Sequence, residues 1–170
     1  SNCETLATLP MRRKTDITYS PDGKRVAFKR ANSLFVAEYN GANAQQIVAA
    51  RSAASNLRWS PDSRKIAFEI QSPRYANITH IAVYDFATGQ ATFRAEQRPL
   101  GVPDDHNPCW SPDGTRLSLD RSYTRRGESG EYVQKQKVII TVPGEDENVV
   151  LEELIRGAIP PSEGCAWLDY

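Results

Sequence analysis

Short runs that alternate between apolar and polar residues fill most of the chain, and almost none keeps a helical period. A triplet of large, small and large residues recurs as Val26-Ala27-Phe28, Ile66-Ala67-Phe68 and Leu117-Ser118-Leu119. Such runs, with β-branched and aromatic members, suit strands whose side chains point to two faces in turn. A second strand follows each, over Leu34 to Tyr39, Ile81 to Phe86 and Val138 to Val142. Each of these ends at a turn with glycine: Asn40-Gly41, Thr88-Gly89 and Pro143-Gly144. A third, more polar strand is expected over Gln45 to Val48, Ala91 to Arg94 and Asn148 to Leu151. A fourth is expected over Asn56 to Trp59 and Asn107 to Trp110. A single helical turn fits only around Glu152 to Arg156.

One turn punctuates these strands. Tyr19-Ser20-Pro21-Asp22-Gly23 returns as Trp59-Ser60-Pro61-Asp62-Ser63 and as Trp110-Ser111-Pro112-Asp113-Gly114. The serines stand 40 and 51 residues apart (20 to 60, 60 to 111), and a weaker fourth start appears at Ala166-Trp167-Leu168-Asp169. Ser-Pro-Asp-Gly fits a type I turn, because proline presets φ at the second position and aspartate and glycine suit the third and fourth. Three long matches in one register define a repeat. Four short antiparallel strands per repeat is the make-up of a β-propeller blade. The expected fold is therefore all-β, with three blades over about 20–59, 60–110 and 111–167 and the start of a fourth. Residues 17–170 form one array after a leader of residues 1–16.

The unit of an aromatic residue, Ser-Pro-Asp-Gly, two polar residues and Ile-Ala-Phe resembles the repeat of the TolB-like bacterial β-propellers. The resemblance covers residues 17 to 170, with departures at Ser63, Ser118 and Leu119. It is more specific for fold than for function. It implies a non-catalytic module for protein–protein interaction in the bacterial envelope, periplasmic or envelope-associated, with a cytoplasmic location as the alternative. Propellers with this repeat also cover prolyl oligopeptidase-type active sites. A substrate-filtering propeller of a serine peptidase is therefore a second reading, and a small-ligand or metal-binding propeller a third.

Propellers close with roughly four to eight blades, and an open array leaves strand edges bare. Two expectations follow for three repeats. Either the chain is part of a longer protein, or two copies pair into a six-bladed homodimeric ring, with residues 1–16 sealing a neighbour's blade.

Lysine plus arginine equals aspartate plus glutamate, 21 each, which gives no electrostatic reason to expect nucleic acid as a partner. No apolar run approaches the roughly 18 residues of a membrane helix. Of the three cysteines, Cys109 and Cys165 lie in apolar strand segments and are expected as buried reduced thiols. Cys3, near the start, is a candidate for the lipid-bearing residue of a bacterial lipoprotein. Arg12-Arg13-Lys14 reads as a solvated leader.

The chain contains no G-x-S-x-G elbow, no phosphate-cradling glycine loop and no H-E-x-x-H. No enzymatic activity, cofactor or metal is expected. His80 reads as an edge or turn residue. Asp104, Asp105 and His106 precede the strand ending in Trp110, where the chain enters a channel mouth. They are the candidate channel-mouth ligand, for a metal ion or a partner's cationic group, although their spacing matches no metal motif. Between Asp120 and Lys137 the connection exceeds the two to five loop residues of an ordinary hairpin. Tyrosine and arginine anchor protein interfaces. Tyr123, Arg125, Arg126 and Tyr132 are thus expected on a partner-binding protrusion, beside Ser72-Pro73-Arg74-Tyr75 in the matching connection. Trp59, Trp110 and Trp167 share one repeat position and read as blade core.

Overall fold

A computed structural model describes residues 17–30, 32–48, 54–72, 75, 77–93, 103–127, 130–142 and 149–153. They form three antiparallel sheets of four strands each, paired in chain order. The first holds β1 (Ile17–Tyr19), β2 (Arg25–Arg30), β3 (Ser33–Glu38) and β4 (Gln45–Val48). The second holds β5 (Ser55–Trp59), β6 (Lys65–Gln71), β7 (Thr79–Asp85) and β8 (Gln90–Phe93). The third holds β9 (Asp104–Trp110), β10 (Arg116–Gly127), β11 (Gly130–Thr141) and β12 (Val149–Glu153). The all-β propeller expectation holds, and the described residues contain no helix. Glu152, expected in a helical turn, pairs with Val138 in β12, because the apolar run Val149 to Leu151 continues the sheet.

Boundaries drawn at the repeated turn (20–59, 60–110, 111–167) cut each sheet one strand out of phase. The strand ending in Trp59 pairs with β6, and the one ending in Trp110 pairs with β10. The Ser-Pro-Asp turn is thus the hairpin between the first two strands of a sheet, not the passage between sheets.

That turn is built identically three times. The serine hydroxyl donates to the aspartate two residues on, at 2.6 Å (Ser20–Asp22), 2.6 Å (Ser60–Asp62) and 2.5 Å (Ser111–Asp113). The same hydroxyl oxygen accepts the backbone N–H five residues on, from Arg25, Lys65 and Arg116, each at 2.9 Å. The fourth residue donates its N–H to the serine carbonyl and takes a left-handed φ, +69° at Gly23, +61° at Ser63 and +71° at Gly114. Ser63 accepts that backbone conformation and uses its side chain. Its Oγ receives the backbone N–H of Asp22 in the first sheet (3.0 Å), and its carbonyl receives Arg25 Nη1 (3.2 Å).

Apolar faces weld the sheets together. Ala27, Leu34 and Val36 pack against Trp59, Ile66 and Phe68, and Ala67, Ile81 and Val83 pack against Trp110, Leu117 and Val138. Each large side chain so buried stabilises the fold by about 1.5–3 kcal/mol relative to leaving it in water. Both tryptophans are buried, and each indole N–H donates across the interface to a backbone carbonyl. Trp59 Nε1 reaches Thr18 O at 3.2 Å, and Trp110 Nε1 reaches Arg58 O at 2.9 Å. Each acceptor stands just before the aromatic residue of the preceding repeat. Phe86 stacks on Trp59 at 5.3 Å, with the Arg25 guanidinium 4.5 Å above its ring. Tyr19 holds the same repeat position as the tryptophans and is 60% exposed.

Two predictions follow from the turns. Ser63→Ala keeps a Cβ at positive φ and strips Asp22 N–H of its acceptor, so it destabilises by about 1–2 kcal/mol in urea unfolding. Ser63→Gly loses the same bond but relieves about 1 kcal/mol of backbone strain, and stays within about 0.5 kcal/mol of the parent. The second concerns pH. The Ser111 hydroxyl and the Thr115 backbone N–H hold the Asp113 carboxyl down at about 2, against an ordinary 3.8. Because the folded value lies below the unfolded one, the stabilisation is complete above about pH 4 and is lost as pH falls through about 2. Carboxyl-carbon NMR of Asp113 is expected to titrate with a midpoint near 2 in the parent, and to move up toward 3.8 in Ser111→Ala.

Candidate functional site

Strands β1, β5 and β9 form one edge of each sheet and neighbour one another. In a propeller that edge faces the central channel. Ser55 and Asp104 open β5 and β9 at the rim opposite the Ser-Pro-Asp turns, and the β6–β7 and β10–β11 connections lie on the same rim.

At this rim the alternation of the strand separates Asp104, Asp105 and His106. Asp105 turns to the same side as its Cα partner Arg121. Arg121 donates Nε to Oδ1 (2.7 Å) and Nη2 to Oδ2 (2.9 Å), a bidentate pair with 1% and 4% exposure for Asp105 and Arg121. Burial works against the guanidinium charge, but Asp105 and the Tyr123 side chain outweigh it and hold the Arg121 proton above its ordinary affinity. Tyr123 itself is 2% exposed. Two expectations are corrected here. Asp105 is not an open channel-mouth ligand, because a buried carboxylate requires the charge partner it has. Tyr123 does not project, because it lies on the face that carries Leu117, Leu119 and Arg121.

Asp104 and His106 fall on the other side. Asp104 Oδ1 accepts the backbone N–H of Thr79 in the second sheet (2.8 Å) and lies 3.1 Å from His106 Nε2. His106 Nδ1 lies 3.6 Å from Glu69 Oε1. The sequence reading overlooked Glu69 and its companions. Asn56 and Asn107 each stand three residues before a tryptophan, take φ of +51° and +55°, and sit at β-bulges. Asn56 Nδ2 donates to Glu69 Oε1 (2.9 Å), and Asn107 Nδ2 donates to Asp120 Oδ2 (3.0 Å). The units are joined: Asn107 N donates to Glu69 Oε1 (2.9 Å), and Asn56 Nδ2 to Asn107 Oδ1 (3.2 Å). Lys137 Nζ completes the row at 3.2 Å from Asp120 Oδ1.

The carboxylates of the row are engaged by amides, a backbone N–H group and a lysine. Among the described residues no three His, Cys, Asp or Glu side chains are arranged to hold a metal ion. His80 is buried inside β7 rather than at an edge or turn, since its Cα partner is Ile70 of the neighbouring strand. Its Nδ1 has no hydrogen-bond partner among the described residues.

The extended hairpin expected between Asp120 and Lys137 is present, with its strands paired almost to the tip. β10 and β11 are twelve residues each, against six in β2 and β3 and seven in β6 and β7. Pairing runs without a break to Gly127↔Gly130. The five pairs from Tyr123↔Gln134 outward exceed the β6–β7 hairpin and extend it by about 17 Å. Thr124, Val133 and Lys135 are exposed there. Arg125 pairs with Tyr132 and Arg126 with Glu131, while the side chains of Arg125, Arg126 and Tyr132 lie outside the description. Cys109 is disulfide-bonded rather than a reduced thiol. Cys3 and Cys165 lie outside the described residues.

Removing one member of the buried pair leaves an uncompensated charge. Asp105→Ala is expected to cost about 3–5 kcal/mol in chemical denaturation, and Asp105→Ala with Arg121→Met to recover most of it. Additive losses in this double-mutant cycle would show that the pair is not coupled.

No protein-family model matches the chain, and no curated protein matches it in sequence. Solved structures do match in fold. A protein assigned as TolB from Agrobacterium tumefaciens superposes with a TM-score of 0.55 at 16% identity, over 84% of this chain and 50% of that one. The β-propeller domain of the Trilobed protease from Pyrococcus furiosus gives 0.55 at 21%, over 85% and 43%. Dipeptidyl peptidase 4 of Porphyromonas gingivalis gives 0.61 at 15%, over 87% and 27%. The chain thus spans half or less of the length of each. Its three sheets are consecutive blades of a β-propeller, of the kind found in TolB and in the propeller domains of these peptidases.

Proposed function

We propose that the chain is a non-catalytic docking module of the bacterial envelope, TolB-like in role, which binds a protein partner through the rim carrying the β10–β11 hairpin. The observation that carries this reading is the hairpin itself. It is the longest strand pair among the described residues, its last five pairs run about 17 Å past the end of the β6–β7 pairing, and its base is fixed by the buried Asp105–Arg121 pair. A stiff strand pair on a rigid scaffold presents side chains at little entropic cost. The Asn56–Glu69–Asn107–Asp120 row beside it supplies polar groups already held in place. The Cys109 disulfide supports a periplasmic setting, since disulfides persist in oxidising compartments. Cys3 as a lipid attachment point lies outside the described residues.

A second reading is favoured by the fold shared with dipeptidyl peptidase 4 and the Trilobed protease propeller. In it the chain screens substrates for a peptidase, and short peptides rather than folded envelope proteins are its ligands.

The test trims the hairpin. Thr124 and Val133 are Cα partners, so residues 125–132 can be replaced by Asn-Gly, leaving Arg121 and Tyr123 in place. The trimmed chain is expected to keep its melting temperature within about 3 °C and to lose at least about tenfold in retention of envelope proteins. Undiminished retention of the same proteins would remove the hairpin from the interface, and retention of short peptides alone would favour the second reading.

A further inference from the structure

Each joint between sheets has a receiving side, and the first sheet carries one with no sheet before it among the described residues. In the second sheet that side ends, beside the turn, in Trp59 and Phe86. The two rings stack, and they hold the first sheet through Trp59 Nε1 to Thr18 O and through the Arg25 guanidinium over Phe86. Register carries this pair back one repeat. Trp59 is the Cα partner of Ile66, and Tyr19 is that of Val26. The backbone N–H of Phe86 donates to Arg64 O, as that of Tyr39 donates to Lys24 O. Tyr19 and Tyr39 therefore hold the places of Trp59 and Phe86, and they are 60% and 59% exposed.

The turn repeats the contrast. Ser63 and Gly114 are buried, Ser63 by its bond to Asp22 and Gly114 against Pro61, whose Cδ a Cβ there would meet at 3.6 Å. Gly23 holds the same position, is exposed, and has nothing within 4 Å of an added Cβ. Val26, Phe28 and Ala37 on this face are buried, so its exposed part is the turn end. The giving side is exposed at the same end of the third sheet. Arg25 and Lys65 each follow their turn serine by five residues and are half-buried at the joints. Arg116 holds that place in the third sheet and is exposed. Three sheets do not close a ring, which takes roughly four to eight, so these two surfaces of one chain do not meet.

We infer that the Tyr19–Tyr39 face receives the third-sheet turn of a second copy, with Arg116 over Tyr39 as Arg25 lies over Phe86. The reciprocal contact closes six sheets into one ring about a two-fold axis. Tyrosine suits a joint made between chains, because its ring packs in an interface while its hydroxyl tolerates water before the partner arrives. The joints within the chain use indoles at this place.

Light scattering on a sizing column tests this in the whole chain. The parent is expected at 38.0 kDa, twice the 19.0 kDa of one chain. The double variant Tyr19→Ser, Tyr39→Ser and the single variant Arg116→Ala are each expected to associate at least about tenfold more weakly. Mixed together, they are expected to pair again, because Arg116 of one meets the tyrosines of the other at one of the two joints. A carbodiimide cross-link from Lys24 of one parent chain to Asp113 of the other is the second readout, and it needs no variant. Those residues come within reach because Asp22 and Ser63, which hold the places of Asp113 and Gly23, touch in the first joint. A parent of 19.0 kDa at every loading concentration overturns the inference. Variants that pair as tightly as the parent, paired chains without the Lys24–Asp113 link, or a mass that climbs past two copies would also overturn it.

Discussion

An indole N–H bonded to the backbone of the preceding sheet is the contact on which the array depends. A tryptophan buries about 150–250 Å² and brings one donor that must find an acceptor once it leaves water. At Trp59 and Trp110 the two demands are met together, since the ring fills the interface and the N–H closes on Thr18 or Arg58. This fixes both the distance between sheets and their register along the strand. The first interface adds Phe86 stacked on Trp59, Arg25 over Phe86 and Ser63 bridging to Asp22. Tyr19 shows the position without such a neighbour among the described residues, and it lies largely in solvent.

The channel rim is made by the same economy of repetition. An asparagine in a left-handed bulge, three residues before Trp59 and again before Trp110, caps an acid on the adjoining strand. Because Asn107 also donates its backbone N–H to Glu69, that acid is bonded from two sheets at once, whereas Asp120 is held by Asn107 and Lys137 of its own sheet. Glu69 and Asp120 are therefore held by their surroundings before any ligand arrives.

The fold was legible in the sequence because its signals are local. The Ser-Pro-Asp turn closes its bonds within five residues, and the triplets beside it alternate in plain view. The rim was harder to read. Asp105 and Arg121 are 16 residues apart, and their meeting depends on which way the strand alternates past the bulge at Asn107. Asp104, Asp105 and His106 look like one cluster in the sequence, yet the pleat sends them to opposite sides. Aligning the repeats at their tryptophans would have found Asn56 with Asn107 and Glu69 with Asp120. The extended hairpin was legible, but not that its strands stay paired to the tip, because Arg121 to Tyr132 is polar and charged. Polar runs also form strands when both faces of a hairpin stand clear of the core. The odd cysteine count hid the bond at Cys109.

The turn serines stand 40 and then 51 residues apart, with no change at the turn or at the indole contact of Trp59 and Trp110. The β10–β11 hairpin is in turn five pairs longer than β6–β7, and those pairs lie beyond the ones that join the apolar interface. Such a protein inherits its packing and its reach separately. Residue pairs can be gained or lost at a hairpin tip over many generations, each step moving the tip by one strand rise, while the neighbouring sheet registers no change. Rim hairpins are thus the places where lineages sharing this architecture are expected to differ most in length, and the three residues ahead of each tryptophan the places where they can least afford an insertion.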